Sequence, residues 1–223
     1  MSNIKLLLIQ TSWILFVLIT GVCAHDIALH ELPPPTTSET IRKYLMFGYE
    51  HIIPLGPDHI LFILGLFLLS AKLKPLVWQI TMFTVAHTVT LALSVLGLIS
   101  LSPNIVEPLI ALSITYIALE NIVTSRLMPA RTAVVFCFGL MHGLGFAGIL
   151  HETGIPEDKF FPALISFNVG VELAQISIVF LAVYLVGRFE DRSWYRKRVV
   201  IPCSTLIALI GIYWVYRRIF AGG

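Results

Sequence analysis

Between residues 44 and 220 the chain is a succession of six apolar runs, and nothing else in it constrains the fold so tightly. The runs cover 46 or 58 to 70, 76–99, 105–124, 133–150, 161–187 and 199–220. A helix needs about 20 apolar residues to cross the hydrocarbon of a bilayer. Lipid offers the backbone no hydrogen-bond partner, so only helices and closed barrels can span it, and long apolar runs without alternation are helical. Composition agrees: 57% of residues are hydrophobic, 13% are charged and the mean hydropathy is +0.87. A soluble domain carries about 25% charged residues. The expected fold is therefore all-α, a polytopic transmembrane helical bundle of six spans over residues 44–223.

The first 24 residues read as a signal peptide: Lys5, an apolar stretch from Leu6 to Thr20, then Gly21-Val22-Cys23-Ala24. An uncleaved first helix is the competing reading. Residues 25–43, with Pro33-Pro34-Pro35, read as an extended arm outside the membrane, and cleavage would make His25 the new N-terminus. With that end outside, nine basic residues fall in inner loops and five in outer segments, the bias expected of a multi-pass protein of a bacterial inner membrane with a periplasmic N-terminus. Arg217-Arg218 lies on the disfavoured side. The net charge of +2 gives no reason to expect nucleic acid, and Cys23, Cys137 and Cys203 form neither a disulfide framework nor a thiolate metal motif.

Ionisable side chains interrupt the apolar runs. At membrane depth each costs about 2.5–3.5 kcal/mol on insertion scales and is normally kept facing a partner, a cavity or a substrate path. The densest stretch is Glu50-His51-Ile-Ile-Pro-Leu-Gly-Pro-Asp58-His59-Ile-Leu-Phe62. Its two prolines and glycine break the helical ladder, which membranes tolerate only where protein or a water-filled cavity covers the break. An interrupted span is also a pointer to a transporter's binding site. His87 interrupts the second apolar run together with Thr84, Thr88 and Thr90. His142 lies amid Gly139, Gly143, Gly145 and Gly148. Glycines at such spacing serve close helix packing, but packing does not require an imidazole. In the fifth run Asn168, Glu172 and Gln175 follow i, i+4, i+7 spacing and form a polar stripe. Glu107 sits at the outer end of the third run and Glu120-Asn121 at its inner end.

At 1.5 Å per residue, His87, His142 and Glu172 fall near mid-membrane and Asp58-His59 toward the outer half, so these groups can converge. A single histidine is more often a hydrogen-bonded structural residue than a ligand. Jointly, His51, Asp58, His59, His87, His142 and Glu172 favour a metal or proton path, with Glu50, Glu107, Glu120, Asn121, Asn168 and Gln175 supporting it. Neutral imidazoles and carboxylates suit Ni²⁺, Co²⁺, Zn²⁺ or Cu²⁺. No prosthetic group is expected, and no Walker-type loop is present to bind ATP.

Five motifs in order carry a resemblance. They are Gly48-Tyr-Glu-His51-Ile-Ile-Pro-Leu-Gly56-Pro-Asp58-His59-Ile-Leu-Phe62, Phe83-Thr-Val-Ala-His87-Thr-Val-Thr-Leu-Ala-Leu, Val106-Glu107-Pro-Leu-Ile-Ala-Leu-Ser, Phe138-Gly-Leu-Met-His142-Gly-Leu-Gly-Phe-Ala and Phe167-Asn168-Val-Gly-Val-Glu172-Leu-Ala-Gln175. The chain resembles the HupE/UreJ family, membrane proteins associated with hydrogenase and urease, both nickel enzymes. The resemblance implies a nickel permease or an accessory factor with a hydrogenase, urease or other metalloenzyme as assembly partner. The best-known branch places five residues between the first histidine and Asp-His. Here six separate His51 from Asp58, which turns His51 by about 100° if the segment is helical.

The expected function is secondary transport of a divalent transition-metal cation, nickel foremost, with no enzymatic activity. Two alternatives stand beside it. A membrane-embedded zinc hydrolase would also use histidines and aspartate on several spans. A non-transporting accessory protein would dock through the proline-rich arm and the basic segment 188–198.

Overall fold

The computed structural model describes residues 35–152, 155 and 157–220. The segments expected to be a signal peptide and most of the N-terminal arm lie outside the described residues. Seven α-helices account for most of the described chain: α1 (Thr37–Ile52), α2 (Pro57–Leu69), α3 (Leu73–Val95), α4 (Pro103–Val123), α5 (Arg131–Glu152), α6 (Phe160–Leu185) and α7 (Ile201–Phe220). All lie within one compact unit, Thr37–Gly223. The expected extended arm therefore ends earlier than residue 43, because helix begins at Thr37. Thr36-Thr37-Ser38-Glu39 has the spacing of a capping box, and Glu39 places a negative charge in the first turn.

Burial differs from that of a soluble protein on the outside, where apolar side chains prevail, and in the polar groups it keeps within a hydrophobic core. Apolar side chains are exposed in rows along single helix faces, Leu112, Tyr116, Leu119 and Val123 on α4, Leu206, Leu209, Tyr213 and Phe220 on α7. Polar groups are inside: His59, Gln79, His87, Asn121, Arg131, His142, Asn168 and Gln175 are all buried. An apolar exterior around a mostly apolar core that encloses a set of polar groups is what lipid selects. By length and apolarity four helices can cross a membrane: α3, α4, α6 and the stretch Arg196–Phe220 that contains α7. The pair α1 and α2 makes a fifth, bent by 68°. Helix α5, Arg131–Glu152, contributes a shorter apolar segment, Arg131–Phe146, to the four or five candidate spans among the described residues.

The short helix α2 is central, touching α1, α3, α4, α6 and α7, and the others associate around it as three close pairs. Each pair rests on glycine. A Cβ on Gly48 or Gly170 would strike the backbone oxygens of Phe167 or Leu45, which sets α1 against α6. Gly139 and Gly143 bring α5 onto the backbone of Phe83 and His87 on α3, and Gly211 brings α7 onto Thr115 of α4. Small residues let backbones approach where no hydrophobic drive exists between helices. The two α3–α5 contacts carry the site, because they place His87 and His142 on neighbouring helices at similar depth.

Candidate metal centre

The break between α1 and α2 positions the first two histidines. Ile53–Pro54 is a cis peptide, and the backbone closes on itself through Leu55 N–H to Glu50 O at 3.2 Å and Gly56 N–H to Ile52 O at 3.1 Å. A side chain at Gly56 would meet the His51 carbonyl, so only glycine fits this return. Pro57 then opens α2 at a position where its missing N–H costs nothing, and Asp58 lies in the first turn, where the helix dipole favours an anion. Because the helix stops at Ile52, the 100° rotation expected for His51 does not apply. His51 and His59 face each other with ring centroids 4.8 Å apart.

His51, His59 and His87 each offer a ligand nitrogen, and these atoms all lie within 4.8 Å of one another. Tetrahedral ligands about 2.1 Å from a zinc-like ion are about 3.4 Å apart, so a loaded site would draw in by about an ångström. His142 adjoins the group, its ring centroid 4.8 Å from that of His59. Aromatic walls enclose the cluster: Phe146 lies 3.8 Å from the His51 ring, Phe83 4.9 Å from His142, and Phe167 stacks on His87 at 6.5 Å.

The unpaired atoms are the informative ones. His51 Nε2, His59 Nε2, His87 Nε2 and His142 Nδ1 are buried without hydrogen-bond partners. Burying a polar nitrogen unpaired costs of order 1–3 kcal/mol, so four together need an explanation. The opposite nitrogens of three rings are engaged by fixed acceptors. His59 Nδ1 donates to Asp58 Oδ1 at 3.2 Å. His87 Nδ1 donates to Asn168 Oδ1 at 3.4 Å, whose amide is oriented by its own bond to the Leu164 carbonyl at 2.8 Å. His142 Nε2 meets Ser113 Oγ at 3.1 Å, and since the serine hydroxyl donates to Ile110 O at 2.7 Å, the imidazole must donate to the serine. Each partner fixes the tautomer that leaves a lone pair on the unpaired nitrogen. An imidazole with its far N–H held by a carboxylate, amide or hydroxyl and its near lone pair bare is the arrangement of a metal ligand.

A cavity of about 330 Å³ leads to this cluster. His51, Asp58, His59 and His142 line it with Glu107 and Arg218. Glu107 is half exposed, and its carboxylate faces Arg218 Nε at 3.8 Å while Arg218 Nη1 donates to the Glu107 carbonyl at 2.9 Å.

Other residues singled out in the sequence lie elsewhere. Glu50 is exposed and does not line the cavity. Glu172 lies outside the three-histidine group: its Oε1 accepts from Thr81 Oγ at 2.7 Å, and its Oε2 is buried without a partner. Gln175 accepts from Thr84 at 3.0 Å. At the inner end of α4, Glu120 pairs with buried Arg131 at 3.3 Å, and Asn121 donates to Gly65 O at 2.7 Å and Ser204 Oγ at 3.3 Å. Sequence reasoning overlooked Ser113, Arg131 and Arg218 as site-organising residues. Arg218 had a signal, a charge on the disfavoured side; Ser113 had only its place in the third motif.

No curated protein and no solved structure matches the chain. The family described as HupE / UreJ protein matches residues 28–218, which include all four histidines and the partners that fix their tautomers. The chain belongs to the HupE/UreJ family.

Proposed function

We propose that this protein carries a divalent transition-metal cation across a membrane, with nickel the cation that kinship favours and cobalt, zinc and copper the alternatives. One observation carries the reading: His51, His59 and His87 each bring a ring nitrogen within 4.8 Å of the others and each keep a buried nitrogen without a hydrogen-bond partner, and His51 and His59 line a cavity in an apolar helical bundle. Imidazole suits these ions, and all-nitrogen donors disfavour the oxygen-seeking Mg²⁺ and Ca²⁺. An ion entering through the cavity meets Glu107, then His51, His59 and His142, and sheds water there; His87 completes the station. The membrane potential would favour inward movement of a dication by about 4.6 kcal/mol per 100 mV. The proposal includes a bacterial inner membrane as the site, six spans, counting α5 and the bent pair, and the mature N-terminus outside; four to five apolar helices support the membrane part of it.

The zinc-hydrolase alternative needs a carboxylate free to act as a base beside the metal. Asp58, the carboxylate next to the histidines in sequence, is engaged by His59, which supports the non-enzymatic reading. An accessory role with hydrogenase, urease or another metalloenzyme is compatible with transport, since such enzymes would consume the imported ion.

Uptake of radioactive nickel into proteoliposomes tests the proposal, with cobalt, zinc and copper as competitors. Saturable uptake abolished by His59→Ala and His87→Ala is expected. Absence of uptake by folded wild-type protein would contradict it.

A further inference from the structure

A permanent cation lines the cavity of a cation site. Arg218 reaches from the last turn of α7 across the ring of Trp214, 5.6 Å from its centroid, to the first turns of α4. Its side chain is 22% exposed and shares the cavity wall with His51, His59 and His142. Among the described residues the one carboxylate within 4 Å of it is that of Glu107, at a separation of 3.8 Å that is too long for a hydrogen bond to that oxygen, while Asp58 shares the cavity wall farther off. Pinning α7 to α4 does not require a charge there, because the bond at hydrogen-bonding distance goes to the Glu107 carbonyl, a neutral acceptor that asks for an N–H and not for a cation. The charge also stands against the inward bias of basic residues, so something outweighs that bias.

Metal chemistry supplies a reason. Several neutral imidazoles around one ion bind first-row dications tightly, and a carrier must also let its ion go. A positive charge in the same low-dielectric cavity raises the energy of a bound dication, and a carboxylate beside it offsets part of that effect. We propose that Arg218 sets the affinity of the metal site, weakening capture of the dication so that it is released, with Glu107 as the counter-charge that keeps the entrance passable. The inference rests on the transport reading above.

The test uses the full chain, purified in detergent for calorimetric titration with Ni²⁺ and reconstituted for uptake. Arg218→Gln should bind Ni²⁺ about tenfold more tightly and transport it more slowly. Arg218→Lys keeps the charge and should stay within about twofold of wild type in both measurements. Glu107→Gln leaves the guanidinium uncompensated and should weaken binding about tenfold. A folded Arg218→Gln protein with unchanged or weaker affinity overturns the proposal. If that variant does not fold, unchanged binding by Glu107→Gln overturns it instead. Uptake that needs an anionic chelator and is lost in Arg218→Gln also overturns it, since the guanidinium would then be contacting the chelator's carboxylates. Failure of wild type to bind Ni²⁺ removes the transport reading as well, whereas binding by wild type that Arg218→Gln leaves unaltered removes only this inference.

Discussion

Two glutamate–arginine pairs sit at opposite ends of α4, with the histidine cluster nearer the first. Glu107 and Arg218 are half exposed and partly exposed, 3.8 Å apart, on the wall of the cavity. Glu120 and Arg131 are 3.3 Å apart with side chains 14% and 1% exposed, and they do not line that cavity. Thirteen residues of helix, about 20 Å, separate the two glutamates. The chemistry is the same and the surroundings differ. An exposed pair is worth about 0–1 kcal/mol and can separate easily. Breaking a buried pair by removing one partner costs about 3–5 kcal/mol, because the survivor is left charged and unpaired. The outer pair is therefore suited to yielding to an arriving ion, and the inner pair to holding the bundle shut.

The inner pair is also tied into α2. Arg131 Nη2 donates to Asn121 Oδ1 at 3.4 Å, and Asn121 donates to the Gly65 carbonyl, midway along the helix whose first turn carries His59. Arg196 adds two bonds of 2.9 Å to the carbonyls of Ile122 and Thr124, capping the C-terminal end of α4 with a cation. The path that the sequence suggested past Glu120 and Asn121 is occupied by this network. An ion leaving that way must first displace Arg131.

The largest expected effect is on the inner pair. Arg131→Met should destabilise the protein by about 3–5 kcal/mol, read as a fall in thermal midpoint in detergent, and Arg131→Met with Glu120→Met should recover most of it. Additive losses in the double variant would mean that the pair is not a unit. Next comes the carboxylate behind His59: Asp58→Asn should reduce Ni²⁺ affinity about 10–100-fold without a matching loss of stability, as expected when a ligand's outer partner is altered. Ser113→Ala removes the acceptor that fixes His142 and should cost about tenfold in affinity, near the low end of the same range. Equal affinity in Ser113→Ala would place His142 outside the metal's coordination. The smallest effect belongs to the outer pair, where Glu107→Gln should change the thermal stability by less than about 1 kcal/mol. A loss as large as that of Arg131→Met would erase the distinction between the two ends.

Much of the bundle was legible because lipid leaves few options. The apolar runs predicted α3, α4, α6 and α7 close to where the structure has them, and the prolines around Gly56 predicted the break. What eluded the sequence was pairing between helices. His51 looked misdirected only under the assumption of continuous helix, which Pro54 and Gly56 end. Glu172 looked equivalent to the histidines by depth, yet depth says nothing of azimuth, and its face of α6 meets Thr81. By sequence Arg131 falls between two apolar runs, where a basic residue is expected to be solvated, but it opens α5 with its side chain buried against Glu120. Arg218 violated the charge bias, and only its neighbours Glu107 and Trp214 explain how it is held there.

The most direct test is X-ray absorption at the nickel edge on protein loaded with one equivalent of Ni²⁺, compared with His59→Ala. The structure predicts at least three imidazole nitrogens around the metal at about 2.0–2.1 Å, and loss of that signature in the variant. A shell of oxygen alone, or an imidazole signature unchanged by His59→Ala, would contradict it.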